Sequence, residues 1–340
     1  MDQNMNLPAG KLPPALLDGL LRRFAPSDPR LIVGPQMGED AAVIDFGDRY
    51  LVAKTDPITF ATDEIGWYAV NVNANDIAVM GAKPRWFLAT VLLPEGKATV
   101  GQAESIYGQI AGACQQLGVA LAGGHTEITV GLDRPIISGC MLGEVSPENL
   151  VRSSGMRPND LIILARGIPI EGTAIIAREK QGDLLARGYG ARLLQRAQAF
   201  LHDPGISVVE AAHLAVEAVP VHAMHDPTEG GLATGLWEMA MASEVGIDID
   251  FDAVPVAPES EALCAVYGLD PLGTIASGAL VIVLAPENVD QLLLTFDRAG
   301  IPARIIGRVT GTPGEMKAKR GGQAIAYPRF SVDEIARLFS

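Results

Sequence analysis

Three carboxylates stand in short polar segments of the first half of the chain. They are Asp40 in Gly38-Glu39-Asp40-Ala41-Ala42-Val43, Asp56 in Lys54-Thr55-Asp56-Pro57, and Asp76 in Asn75-Asp76-Ile77-Ala78. Three hard oxygen donors suit Mg²⁺ held through carboxylates and substrate phosphates, and do not suit a thiolate or imidazole metal centre. A fourth segment, Gly123-Gly124-His125-Thr126-Glu127, adds a glycine pair that lets backbone approach a polyphosphate closely. All four read as turns beside a strand or helix end. Taken singly each is weak, because Asp after Gly or Thr is commonly a turn residue or cap. None is a Walker A loop or a Rossmann fingerprint; their joint occurrence and order carry the signal. In the second half, His225-Asp226-Pro227-Thr228-Glu229-Gly230-Gly231 runs into a helical stretch at Leu232 to Ala242. Thr228 reads as an N-cap, and the glycines open a helix N-terminus that favours a phosphate or carboxylate. The alternative is an ordinary capped helix whose glycines serve tight packing. His125, His222 and His225 lack metal-ligand spacing, which argues against zinc.

The element that must place Asp76 is unusual. Ile65, Ala69, Val72, Ile77 and Met80 recur at helical spacing, Thr62 with Asp63 and Glu64 makes a start signal, and Gly81 followed by Pro84 makes a stop. Asn71, Asn73, Asn75 and Asp76 therefore lie inside an otherwise apolar helix. Burying such groups bare costs several kcal/mol, so they are either ties to neighbouring loops or part of a ligand site. Around this helix the first half alternates strand and helix signals. A helical lead covers Pro13 to Phe24, strands Tyr50 to Lys54, Arg85 to Leu92, Val119 to Ala122 and Pro135 to Gly143, and a helix Gln102 to Leu117. The second half restarts with a strand at Leu161 to Ala165. Helices are expected near Gly172 to Glu179, Arg192 to Leu201, Val208 to Ala218 and Asn288 to Ala299, and strands near Ile247 to Phe251, Ala279 to Leu284 and Ala303 to Val309. Val145 to Asn159, rich in Ser, Pro, Gly, Asn and Arg, reads as the linker.

The 340 residues suggest two domains with ample apolar content for two cores. A net charge of −14 and no basic patch argue against nucleic acid or anionic membrane as partners. Cys114, Cys140 and Cys264 are widely spaced, without a Cys-x-x-Cys pair, and read as packing residues in a reducing compartment. No signal peptide or membrane-length apolar run is present, so a cytoplasmic protein is expected.

The series Gly38 to Val43, Thr55-Asp56, Asn73 to Pro84 and Gly123 to Glu127 resembles the aminoimidazole ribonucleotide synthetase superfamily. That group includes the purine-pathway synthetase, selenophosphate synthetase, thiamine-monophosphate kinase and the hydrogenase maturation factor that dehydrates a carbamoyl group. The resemblance covers about residues 30 to 310, and His225 to Ala233 with Leu269-Asp270-Pro271-Leu272 is most similar to the maturation branch. It implies a PurM-like α/β fold of the α+β type. A lead over residues 1–30 would precede an ATP-binding dimerisation domain over 31–148, a C-terminal α/β domain over 155–312 and a tail over 313–340. N-terminal sheets of two subunits would join, with ATP along the interface and Mg²⁺ bridging its phosphates to the protein.

Carried over by position, Asp40, Asp56 and Asp76 would bind the metal, and Asp56, Asp76 and Asp226 would serve catalysis. Lys54, Thr55, Asn75, Gly123, Gly124, His125, Thr126, Glu127, Gly230 and Gly231 would bind the nucleotide. The family chemistry is attack by an acceptor oxygen on the γ-phosphate, which depends on positioning and charge neutralisation. The resemblance thus implies a homodimeric Mg²⁺- and ATP-dependent enzyme acting on a small acceptor, with a protein partner of a maturation pathway possible. A kinase resembling thiamine-monophosphate kinase and an inactive nucleotide-binding regulator are the alternatives. Three departures bear on this. His125 and Glu229 stand where these branches often carry an acid and Arg, and the N-terminal lead has no selenophosphate-synthetase nucleophile. The sequence closes Ile335-Ala336-Arg337-Leu338-Phe339-Ser340 instead of in the cysteine that carries the carbamoyl group. From this ending the thiocarboxamide intermediate is not expected to form.

Overall fold

The computed structural model describes residues 12, 14–24, 28–35, 39–58 and 63–339. Gly38, Thr62, Pro13 and Ser340, used above, lie outside them. The first half contains α1 (Pro14–Phe24), β1 (Leu31–Val33), β2 (Ala42–Asp45), β3 (Tyr50–Ile58), α2 (Ile65–Val79), β4 (Lys83–Pro94), α3 (Val100–Leu117), β5 (Ala120–Thr129) and β6 (Ile136–Val145). Its six strands form one sheet in the order β1-β2-β3-β6-β4-β5, antiparallel except for the parallel β4–β5 pair.

One face of that sheet carries α2 and α3. Along β6 the residues facing the helices, Ile137, Gly139, Met141, Gly143 and Val145, are buried, and those between them are half-buried. This is the period-two pattern of a sheet covered on one side. Two β6 glycines set how closely α2 approaches. A Cβ at Gly139 would lie 2.4 Å from the Asn73 amide nitrogen, and one at Gly143 would lie 2.3 Å from Ile77 Cγ2.

The second half contains β7 (Leu161–Ala165), α4 (Ile170–Glu179), α5 (Gln181–Ala186), α6 (Ala191–Ala199), α7 (Val209–Ala218), β8 (Ala223–His225), α8 (Gly231–Ala242), β9 (Gly246–Asp250), α9 (Pro258–Tyr267), β10 (Leu280–Leu284), α10 (Val289–Arg298), β11 (Ala303–Thr310), β12 (Met316–Arg320) and β13 (Gln323–Ile325). Its sheet runs β13-β12-β9-β11-β7-β10-β8. β10 is buried along its whole length, as its unbroken run Leu-Val-Ile-Val-Leu suits for a strand covered on both faces. Ile163, Leu280 and Ile282 join a core with α4, α7 and α10 that continues into α2 and the first half. Ile162, Leu164, Val281 and Val283 face α8 in a second core. Two cores are present, as the apolar content suggests, but one of them spans both halves instead of stopping at the connection.

That connection is not a free linker. Arg152 donates to Glu39 Oε1 at 2.6 and 2.9 Å, Ser154 Oγ donates to the same oxygen at 2.5 Å, and Ser153 Oγ donates to Asp40 Oδ2 at 2.5 Å. The acids of the α2 start signal are also used elsewhere. Asp63 and Glu64 pair with Arg178 of α4, and Glu64 with His202, while Glu64 itself holds a left-handed backbone before Ile65.

Candidate functional site

Every α2 residue except Trp67 is buried, and its amides are ties. Asn73 Nδ2 donates to the Ala69 and Asp56 carbonyls, and its Oδ1 accepts from Asp56 N at 2.9 Å, so it fixes the strand position that carries Asp56. Asn75, expected beside the nucleotide, is tied at both ends. Its Nδ2 donates to the Ile206 carbonyl and its Oδ1 accepts from Val208 N, each at 2.8 Å, so both ends of the amide bind second-half backbone. Asn71 Nδ2 returns to the Trp67 carbonyl.

Asp76 remains for chemistry. Lys54, Asp56 and Ile58 alternate onto the helix-covered face of β3. There Lys54 Nζ lies 3.3 Å from Asp76 Oδ1 and 3.7 Å from Asp56 Oδ2. The segment at 54–57 is thus strand, not turn. On the other side Asp40 Oδ1 meets His225 Nδ1 at 2.9 Å, and Asp226 completes the group. Ligand atoms of Asp40, His225 and Asp226 all lie within 4.8 Å of one another. Among the described residues the compact group of possible ligands is Asp40, His225 and Asp226, while Asp56 and Asp76, expected with Asp40 as the metal trio, both face Lys54.

Burial and repulsion set the electrostatics. Burial alone would raise Asp40, but the His225 charge and the hydrogen bonds from His225 and Ser153 outweigh it and hold the carboxyl low. Burial alone would lower His225; Asp40 reverses this and lifts the imidazole to about 9, so it is an imidazolium near neutrality. Burial raises Asp76, and Asp56 and Asp40 add to this against the opposing Lys54 charge. Asp226 is pushed well up by burial, then by Asp76 and Asp40. It is 1% exposed, and neither oxygen has a hydrogen-bond partner among the described residues; Asp76 Oδ2 has none either. Buried carboxylate oxygens without donors are what a hard cation or a proton must satisfy.

The glycine-rich segments lie elsewhere. Gly123 to Glu127 is strand β5, an edge exposed over almost its whole length, and not a turn. Asp56, Gly139, Ala89 and Gly124 share one cross-strand row, which puts Gly124 three strand spacings, about 14 Å, from Asp56. Gly124 is required by contact, since a Cβ there would sit 2.0 Å from the Ala89 carbonyl oxygen. Thr55, Gly123, His125 and Glu127 alternate onto the open face, opposite the carboxylates. His125 Nε2 and Glu127 Oε2 are 3.2 Å apart, and Thr126 turns to the helix side, where its hydroxyl meets Tyr107 Oη.

Gly230 and Gly231, expected at the nucleotide, are held by contacts within the chain. The α8 N-terminus is capped by left-handed Gly230, not Thr228. Gly230 N donates at 2.6 Å to Asp333 Oδ2, whose other oxygen accepts from Ile275 N and Ile335 N. The anion favoured by that helix end is a carboxylate of this chain. Gly231 is closed in by Leu272 and Thr274 backbone, 2.5–2.8 Å from where its Cβ would stand. Sequence reasoning missed His225 and Ser153 as neighbours of Asp40; the only signal was the His225-Asp226 adjacency. Cys114 and Cys264 are buried, and burial pushes their thiols to about 11 and 12, which suits packing.

The AIR synthase related protein family matches through its N-terminal domain over residues 38–145 and its C-terminal domain over residues 157–318. A putative hydrogenase expression/formation protein of Methanocaldococcus jannaschii is 32% identical over 82% of this chain and 81% of its own. The carbamoyl dehydratase HypE of Cupriavidus necator is 33% identical over 85% and 80%. Among solved structures, hydrogenase maturation protein HypE in complex with ATP superposes with a TM-score of 0.71 at 24% identity, over 96% of this chain and 97% of that one. AaThiL complexed with AMPPCP and TMP gives 0.71 at 20% identity, over 92% and 94%. Both superpositions are likenesses of fold. With both domains matched in order and relatives above 30% identity across most of its length, the chain belongs to the AIR synthase related family.

Proposed function

We propose that this protein is an ATP-dependent enzyme that activates an oxygen of a small acceptor by phosphoryl transfer, using a divalent cation. The observation that carries this reading is Asp226: a buried carboxylate without a hydrogen-bond partner among the described residues, grouped with Asp40 and His225 and facing Asp76 and Lys54. The donor set fits Mg²⁺, because it is mainly carboxylate oxygen and the His225 Nδ1 is engaged by Asp40. Asp226, Asp40 and the free oxygen of Asp76 would hold the ion. When bound, it supplies neutralisation of phosphate charge.

The chain's own residues do the positioning. Asn73 fixes Asp56, Lys54 joins Asp56 to Asp76, and Ser153 with His225 orients Asp40. Such pre-set charges favour developing phosphoryl charge without reorganisation. The known ligands of relatives support the nucleotide: a HypE has been solved with ATP, and AaThiL with AMPPCP.

We further assign the open face of the first sheet to a second copy of the chain. Trp86 is 38% exposed there, beside half-buried Leu88, Leu92 and Leu142, apolar side chains that pairing with a second copy would bury. Thr55, Gly123, His125 and Glu127 would then line a nucleotide site shared between subunits.

Measuring ADP release with Mg²⁺ across a panel of carboxylate, amide, carbamoyl and hydroxyl acceptors tests the proposal. Release dependent on one acceptor class is expected. Inorganic phosphate with a dehydrated product would place the protein with the carbamoyl dehydratases, and a stable phosphoester with the kinases. Tight ATP binding with no turnover on any acceptor would favour a regulatory nucleotide-binding protein instead.

A further inference from the structure

The carboxylate ring has two unlike sides. On one, Lys54 Nζ sits between Asp76 Oδ1 at 3.3 Å and Asp56 Oδ2 at 3.7 Å. On the other, Asp226 keeps both oxygens without partners at 1% exposure, beside the Asp40–His225 pair. We propose that Lys54 is a built-in substitute for a second divalent ion, so that the site takes one ion, on the Asp226 side. This deepens the metal and nucleotide reading above and rests on it.

Position supports the substitution. Lys54 and Asp56 are two apart on β3, on one face, so the strand delivers the cation together with one of its carboxylates. The second carboxylate comes down from α2, whose height over the sheet is fixed by the glycines of β6. A magnesium ion bridging Asp56 and Asp76 would need both oxygens at about 2.0–2.1 Å, in the space that the ammonium fills.

Chemistry supports it as well. An ammonium differs from a metal in kind. It offers three N–H donors and no coordination positions, so it can hold two carboxylates apart and donate to a phosphate oxygen, but cannot gather oxygens into an octahedron. Lys54 is thus a positioning residue, and Asp226 forms the ion's seat.

The test is a count of Mn²⁺ by electron paramagnetic resonance on the full chain with β,γ-methylene ATP. The wild type should hold one Mn²⁺ per chain, Lys54→Met two, and Lys54→Arg one, with Asp226→Asn losing the single ion. Without nucleotide, Lys54→Met should bind Mn²⁺ about tenfold more tightly than the wild type, because a like charge has been removed from beside the carboxylates. Two ions in the wild type, one ion in both wild type and Lys54→Met, or an ion retained by Asp226→Asn overturns the inference while the metal reading stands. No Mn²⁺ in any form overturns that reading itself. The wild-type count decides even where Lys54→Met proves unstable, and Lys54→Gln then replaces it.

Discussion

Helix α2 and strand β5 both carry polar residues within the sequence that resembles the family, yet the structure treats them in opposite ways. In α2 the side chains of Asn71, Asn73, Asn75 and Asp76 are buried, and the three amides are hydrogen-bonded to named backbone groups. In β5 His125, Thr126 and Glu127 lie on an exposed edge, where His125 and Thr129 meet Glu127 and Thr126 meets Tyr107 of α3. A buried polar group must be satisfied at once by the fold, whereas a group on an open strand keeps its capacity for another molecule. The same motif-like appearance therefore marks scaffold in one place and available surface in the other. Within α2, Asp76 is the exception, since one of its oxygens has no donor among the described residues.

The sharpest way to use that exception is Asp76→Asn. It should lower acceptor-dependent ADP release by about 10²–10³-fold, the scale at which a pre-set transition-state charge acts, while the melting temperature stays within a few degrees of wild type. Calorimetry should also show weaker Mg²⁺-dependent ATP binding. Unchanged nucleotide affinity, or equal affinity in chelator and in Mg²⁺, removes Asp76 from the site.

Asn75→Ala tests the scaffold side. It strands the Ile206 carbonyl and the Val208 N–H in a dry interface, and should cost about 2–4 kcal/mol in urea unfolding, with each orphaned group contributing 1–3. The folded fraction should bind ATP as wild type does. A loss of affinity without a loss of stability would return Asn75 to the ligand site.

Glu171 extends the comparison to the second half. It is buried, and burial, against the opposing Ser277 contact and with Asp333 and Glu229 nearby, pushes it up to about 7. Its folded form thus favours the neutral acid relative to the unfolded chain. That contribution is complete below the ordinary value of 4.5 and is lost as pH rises through about 7. Glu171→Gln should remove this slope, becoming more stable than wild type at pH 8 by on the order of 3 kcal/mol at most. Parallel stability curves for the two proteins between pH 4.5 and 8 would show that Glu171 does not titrate as described.

The smallest expected effect is on β5. His125→Ala and Glu127→Ala should each shift stability by no more than about 0.5 kcal/mol, as exposed substitutions do, since the His125–Glu127 pair is open to solvent. Light scattering should give a dimer mass at micromolar concentration, with Trp86→Glu on the open face reducing it. A monomer for the wild type would break the contrast by leaving the open face without a partner.

Much of this was legible in the chain. The apolar spacing of Ile65, Ala69, Val72, Ile77 and Met80 requires a buried helix, and the run at Leu280 to Leu284 requires a strand covered on both sides, because helical and strand periods follow from local geometry. The glycine pair at 123–124 signalled close backbone approach, although its partner is the Ala89 carbonyl of the neighbouring strand. Local signals misjudged the polar segments at 54–57 and 123–127, where strand pairing overrode turn-forming residues. Whether Asn75 is scaffold or site, whether the α8 N-terminus awaits an anion or already holds Asp333, and which carboxylates share a cation all depended on residues 22 to 185 positions apart. Sequence by itself fixes which groups are too polar to be buried alone. Only the tertiary structure decides what they are buried with, since hydrogen bonds and charge pairs act over a few ångströms in space and have no period along the chain.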